Sequence, residues 1–292
     1  MRRKTNRRKR RSSRIAALLG SIPIGRILIV VVAGLSVVGV AIGGSYALGR
    51  LNAHVDGLVL SDKPEATVLF VDMPPLLRDL ALHDLNTSLS DLTRRPWTDD
   101  TLCRQMAGRL ESVGWLAKVH FVRRTAEGVF EISGKYRLPV ALVQQDSSFF
   151  LVDGTSVRLP GTYAYHPAWK IVQGVVAPPP GAGELWEAED LRAGLDVLSA
   201  IQDEPFGEQI TGVLVDNFAG RRDARSVHIE LATDRSGGRI RWGSAPGKEV
   251  EENLLHEKIA LLRGNYGVTG RADATHAVID ISTFPDRYTI PG

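Results

Sequence analysis

The residue types that could carry out chemistry are scattered along this chain rather than grouped. The seven histidines form no HExxH pair and no Cys/His zinc spacing. Neither a GxSxG elbow nor a GxxxxGK[ST] phosphate loop occurs. Cys103, the single cysteine, has no histidine near it in sequence, and a reactive thiol needs an activating neighbour. The sequence therefore predicts no catalytic residue, no cofactor and no metal site.

Two acidic motifs are better explained by helix structure than by chemistry. Asp99 and Asp100 follow Thr98, a suitable N-cap, and negative charge in the first turn of a helix is stabilised by the helix dipole. His256 and Glu257 have no second histidine at metal-binding spacing. We therefore assign both motifs to helix surfaces, and the search for function turns to the elements around them.

A basic tail followed by an apolar run opens the chain. Residues 1–26 are rich in Lys and Arg, and residues 27–48 hold no charged side chain. Twenty-two residues of helix measure about 33 Å, against about 30 Å for a bilayer core. The pattern predicts a cytoplasmic tail over 1–26, a transmembrane helix over 27–48 and a linker over 49–64, with the remainder exported across the membrane.

Two alternatives apply to this N-terminal region. The basic tail could bind nucleic acid, but its position beside an apolar run favours a topology signal or contact with anionic lipid. The apolar run could be a cleaved signal peptide, with Ser45, Tyr46 and Ala47 as the cleavage site, although signal h-regions span only about 7–15 residues.

The net charge of +3 averages two opposite regions. Residues 1–50 hold eleven of the 36 basic residues and none of the 33 acidic ones, so the remainder has a net charge of −8. An acidic exported part gives no electrostatic reason to bind nucleic acid or an anionic surface. We therefore expect no nucleic-acid partner.

Hydrophobic periodicity divides the exported part into two units. Residues 65–138 read as strand, helix, helix, strand, strand, which predicts a small α+β module. Residues 139–285 read as a series of short strands with helices over 184–202 and 250–263, which predicts a mostly antiparallel β-domain. The final strand is expected over 276–283, and residues 286–292 form a C-terminal tail. The fold class is α+β.

Residues 114–160 carry a pattern that resembles the FtsQ/DivIB family of bacterial division proteins. Its parts, in order, are Gly114-Trp115-Leu116 with Val119, Phe121 and Arg123; Val129 with Ile132; Arg137 with Pro139-Val140-Ala141; and Leu151-Val152-Asp153 with Leu159-Pro160. Later segments are also similar, among them Arg239–Gly243 and the closing Val278–Ile281. Tyr136 and Ser282 depart from the pattern, since the family has Glu and Arg at these positions.

The resemblance implies a POTRA module followed by an FtsQ-type β-domain. It also implies a non-enzymatic scaffold of the septal peptidoglycan machinery that binds FtsL/FtsB-like single-span proteins. Such partners can add a strand to an open sheet edge. By analogy with the family, the candidate partner-binding residues are on or after the last strand: Val278, Asp280, Ser282, Phe284 and Tyr288.

Three alternatives remain open at this point. The alternation of Val278, Asp280 and Ser282 is also what the solvent face of a closed sheet would show. The chain could instead be a type II membrane-anchored envelope enzyme, which requires a cleft with convergent ionisable groups. It could also be a POTRA protein of an export pathway, although no series of barrel-length strands follows.

Overall fold

The computed structural model describes residues 43–51, 53–54, 66–95, 99–125 and 128–283. Glu65–Arg95 and Asp100–Gly292 form one compact unit. In the other unit, Met1–Pro64 with Pro96–Asp99, residues 43–51 and 53–54 are helical. The predicted basic tail and the predicted tail over 286–292 lie outside the described residues.

The predicted transmembrane helix over 27–48 requires a correction. No helix in the described part of the chain is both long and apolar enough to cross a membrane. The two helices of 15 residues, Pro75–Leu89 and Leu255–Thr269, reach only about 22 Å, short of a bilayer core of about 30 Å. Residues 27–42 of the predicted span lie outside the described residues.

The first sheet is built from a strand–helix–helix–strand–strand sequence, in the order expected from the residue pattern. Its elements are β1 (Thr67–Phe70), α1 (Pro75–Leu89), α2 (Leu102–Val113), β2 (Leu116–Arg124) and β3 (Val129–Tyr136). β3 lies in the centre, parallel to β1 and antiparallel to β2.

Helical spacing of apolar residues explains how α1 and α2 bury one face each. In α1 the buried residues recur at every fourth position from Leu77 to Leu89, and α2 repeats the spacing with Leu102, Met106 and Leu110. Trp115 is fully buried beside them, and its indole N–H donates to Asp84 at 3.0 Å. A buried indole needs such an acceptor, so Trp115, which directly precedes β2, ties the start of this strand to α1.

In the described part of the chain, seven strands form the second sheet, and two α-helices connect some of them. Its elements are β4 (Pro139–Gln145), β5 (Ser148–Asp153), β6 (Ile171–Gln173), α3 (Glu189–Ile201), β7 (Ile210–Leu214), β8 (Ile229–Thr233), β9 (Arg239–Gly243), α4 (Leu255–Thr269) and β10 (Val278–Asp280). The strand order is β10-β9-β8-β7-β6-β4-β5. α3 and α4 contribute to one apolar core with the sheet, through residues such as Leu191, Ile201 and Leu262.

This sheet is mixed, so the prediction of a mostly antiparallel domain was wrong. β4 and β6, β6 and β7, and β9 and β10 are parallel pairs. Two of these pairs are joined by a helix, since α3 connects β6 to β7 and α4 connects β9 to β10. A helical crossover returns the chain to the same end of the sheet, and the two strands must then run in the same direction.

The two ends of the seven-stranded sheet differ. At one end the segment 157–163 covers β5: the Tyr163 N–H donates to the Phe149 carbonyl, and the Leu159 N–H donates to the Leu151 carbonyl, both at 2.8 Å. At the other end, β10 has no strand beyond it in the described part of the chain.

Backbone contact and an ion pair join the two sheets. Gly114 ends α2 with φ of +96°, and a Cβ atom there would stand 2.7 Å from the Gly183 backbone nitrogen. Nearby, Arg137 Nη1 lies 2.8 Å from Asp153 Oδ2. Burial alone would raise the pKa of Asp153, but hydrogen bonds from Thr155, Val157 and Arg137 hold it below its usual value. The carboxylate therefore stays charged in this joint.

Candidate partner-binding edge

β10 is the edge strand at which the sequence predicted partner binding. It runs parallel to β9, with Val278 beside Arg239 and Asp280 beside Arg241. The Arg239 N–H donates to the Ala277 carbonyl at 2.8 Å, and the Ile281 N–H donates to the Arg241 carbonyl at 3.0 Å. Because the direction of backbone groups alternates along a strand, the N–H and C=O groups of Val278 and Asp280 point away from β9.

Apolar residues hold β10 in the sheet. Ile279 is 4% exposed and Ile281 is fully buried, and both belong to the core shared with α4. Val278 and Asp280 alternate with them and are partly exposed. One face of the strand is thus anchored in the core, while its outer backbone groups are free in the described part of the chain.

A turn and one asparagine side chain end β10. The Asp280 Oδ1 atom accepts hydrogen bonds from the Ser282 backbone N–H at 2.9 Å and from its hydroxyl at 2.6 Å. Asn253, which precedes α4 and is 1% exposed, donates its amide to the Ile281 and Thr283 carbonyls and its backbone N–H to the Ser282 carbonyl. These bonds satisfy the three backbone carbonyls that directly follow the strand, and they fix where the open edge stops.

An ion pair supports the loop that carries Asn253. The Lys258 side chain is fully buried, and its Nζ lies 2.9 Å from Glu252 Oε2 and over the Trp242 ring. The same carboxylate accepts the Ser244 N–H at 3.0 Å. Gly243 leaves room for it, because a Cβ atom at this position would clash with Glu252 Oε2.

Hydrogen bonds keep Glu252 ionised. Burial raises the pKa of the carboxyl, but the hydrogen bonds from Ser244 and Lys258, together with the charge of Lys258, bring it below the ordinary value for glutamate. A lowered pKa in the folded state means that the carboxylate stabilises the fold above the pKa of the unfolded chain. This contribution is lost as the pH falls through the pKa of the folded state.

We expect Glu252→Gln to make stability less dependent on pH between about pH 5 and pH 3. The glutamine side chain can still accept a hydrogen bond from Lys258 but cannot be protonated in this range. Urea unfolding at a series of pH values measures the free energy of unfolding of wild type and variant, and the difference between the two at each pH gives the effect. If plots of unfolding free energy against pH are parallel for wild type and Glu252→Gln over the whole range, Glu252 does not have a lowered pKa in the folded protein.

The predicted site residues have three different placements. Val278 and Asp280 lie in β10, and Ser282 follows it, only 6% exposed and hydrogen-bonded to Asp280. Phe284 and Tyr288 lie outside the described residues. The strand is shorter than the predicted 276–283, because the turn at Ser282 and the bonds from Asn253 end it.

Sequence reasoning missed the residues that support the edge, namely Gly243, Glu252, Asn253 and Lys258. Asn253 lies one residue before Leu254, the N-cap of α4, and its side chain bonds carbonyls after β10, so no helix-capping pattern reveals its role. The predicted helix began at residue 250, which placed Asn253 inside it. The pairing of Glu252 with Lys258 depends on the loop conformation and on Gly243, and has no local pattern.

No group of three or more His, Cys, Asp or Glu side chains within the described ranges could hold a metal ion. No protein-family model matches the sequence, and a search among curated proteins finds no match. The resemblance to the FtsQ/DivIB family therefore depends on the motifs alone and stays a prediction.

Proposed function

We propose that this protein is a non-enzymatic scaffold of the bacterial cell-division machinery, acting at the extracytoplasmic side of the cell inner membrane. Its partners are single-span proteins of the FtsL/FtsB type. The observation that carries the proposal is the open edge of β10, where Val278 and Asp280 present backbone donors and acceptors outward. A partner segment that pairs with these groups extends the sheet by one strand.

Two further features support a binding role. The edge is anchored rather than frayed, because Ile279 and Ile281 are buried and Asn253 fixes the carbonyls that follow. An ordered edge costs less conformational entropy on binding than a segment that must first fold. The order of motifs from Gly114 to Asp153, and of Val278–Ile281 after them, supports the division role specifically.

A fluorescent fusion of the full chain in dividing cells tests the proposed role. We expect the signal to be enriched at the division site, because the scaffold is recruited with its partners. A uniform signal in growing cells, from a fusion that complements deletion of the gene, would contradict a role in septation.

A proline substitution tests the edge itself. Val278→Pro removes an N–H group that points away from β9, so the ladder to β9 stays intact. We expect partner binding to weaken about tenfold or more, since the substitution removes a hydrogen bond and places the proline ring in the path of the added strand. Partner recovery after in-cell crosslinking measures the loss.

Val278→Thr is the matched control, because threonine keeps both the β-branched shape and the N–H group. It should bind within about threefold of wild type, because Val278 is partly exposed and substitutions at such positions have small effects. The unfolding midpoint of each variant shows whether the fold is intact. If a natively folded Val278→Pro protein recovers its partner at the wild-type level, β10 is not the edge that binds the partner.

A further inference from the structure

Side chains of alternating charge lie in a row across β8, β9 and β10, the three strands nearest the open edge of the seven-stranded sheet. In the register of the sheet, Arg241 of β9 lies between two acidic residues. Glu230 of β8 is its neighbour on one side, and Asp280 of β10 is its neighbour on the other. All three side chains are partly exposed, and they lie on the face opposite the buried Ile240 and Ile279. The Arg241 guanidinium lies 3.8 Å from the Glu230 carboxylate. The row therefore ends at the open edge on a negative charge.

The outer side of Asp280 lacks a cation in the part of the chain that the structure describes. Oδ1 accepts the two hydrogen bonds from Ser282, and Oδ2 has no hydrogen-bond partner among the described residues. The neighbouring row consists of Ala232, Arg239 and Val278, one from each of the same three strands. This row ends at the open edge on the aliphatic side chain of Val278. The open edge thus presents an acid and an aliphatic residue two positions apart.

We propose that the strand bound by β10 carries Lys or Arg beside Asp280 and a β-branched or aromatic residue beside Val278. This inference rests on the proposed function and specifies the chemistry of the partner. Opposite charges on directly paired residues stabilise a sheet, and like charges destabilise it. A basic residue continues the alternation of the row, whereas an acidic residue would be repelled by Asp280.

The same electrostatic pattern disfavours a second copy of this chain as the occupant. A second β10 offers only Val278 or Asp280 at these positions, and neither is a cation. Pairing of two copies would leave each Asp280 without a positive neighbour on its outer side. The edge thus favours a different chain with a basic residue in its strand.

Site-specific photocrosslinking in living cells tests the proposal on the full chain. A benzoylphenylalanine at Val278 labels whatever segment lies beside the edge, and mass spectrometry identifies the labelled peptide. We expect a peptide with Lys or Arg within two or three residues of the labelled position. Asp280→Lys should lower the crosslink yield by about five- to tenfold.

Asp203→Lys serves as the matched control, because it makes the same charge change at an exposed position away from the edge. Its crosslink yield should remain at the wild-type level. Replacing the basic partner residue by Glu should restore the yield with Asp280→Lys, since the two charges are then exchanged.

Each other outcome overturns a defined part of the proposal. A labelled partner segment without a basic residue, or a yield that Asp280→Lys does not change, overturns this inference and leaves the proposed function standing. A label on residues 284–292 of the same chain, or on a second copy, overturns the inferred occupant. No crosslink to any envelope protein from a natively folded chain overturns the proposed function as well.

Discussion

Lys258→Ala is expected to lower the free energy of unfolding by about 3–5 kcal/mol, because it leaves the Glu252 carboxylate without its cation in a largely buried site. The Lys258 side chain is fully buried and the Glu252 side chain is 15% exposed, so water replaces little of the lost interaction. The aliphatic part of Lys258 is also lost from the core beside Trp242. Urea unfolding followed by tryptophan fluorescence measures the change.

Two variants separate the ion pair from general effects of substitution. Lys248→Ala changes the same residue type at an exposed position and should alter the unfolding free energy by less than about 0.5 kcal/mol. Lys258→Met combined with Glu252→Gln removes both charges and should cost less than Lys258→Ala. A loss below about 1 kcal/mol for Lys258→Ala would show that the pair does not stabilise the loop.

The second large effect concerns Gly114, where α2 ends and the backbone contacts Gly183. Gly114→Ala should destabilise the protein by about 2–4 kcal/mol, since alanine is strained at φ of +96° and its Cβ atom would lie 2.7 Å from a backbone nitrogen. Backbone atoms cannot rotate away as a flexible side chain can. Thermal or urea unfolding of the full chain measures the loss.

Gly108→Ala provides the control within the same helix. Gly108 is exposed, and a Cβ atom there would have nothing within 4 Å. Alanine at an exposed helix position should stabilise the protein by about 0.5–1 kcal/mol. Equal effects of the two substitutions would contradict the assigned contact at Gly114.

Local patterns predicted the first sheet well. The alternation of Phe130 and Ile132 predicts a strand over 129–136, and the bounds of β3 agree with it. Glycine after Val113 predicts the end of a helix, and Gly114 ends α2. Both features depend on interactions within a few residues, namely alternation of side chains along a strand and the left-handed conformation of a helix C-cap. The α+β class follows from such elements and was confirmed.

Strand direction in the second sheet was predicted less well, although the signal was present. The strand–helix–strand order around α3 and α4 indicates parallel pairing, but the prediction of a mostly antiparallel domain did not use this order. The predicted end of α4 was also wrong. The sequence predicts a stop near Gly264, whereas the helix continues to Thr269 and Gly270 adopts φ of +72°. Glycine inside a helix is tolerated when the neighbouring turns pack well.

The candidate site could be predicted only in outline. Val278 and Asp280 follow from the alternation of the last strand, because their neighbours Ile279 and Ile281 are plainly apolar. Position at the edge is a property of the sheet order, which brings together strands far apart in sequence. No window of sequence around residue 278 contains that information, and Asn253, which helps to end the strand, is 28 positions from the Ile281 carbonyl that it contacts.

Coverage of β5 by the segment 157–163 has a consequence for stoichiometry. Because one end of the seven-stranded sheet is closed by its own chain, the strand addition proposed at β10 would give this sheet a binding valence of one. A sheet with two open edges could link molecules head to tail into a growing polymer. Under the proposed function, a partner strand added at β10 would find β5 already covered at the far end, so the sheet would terminate such an assembly rather than propagate it.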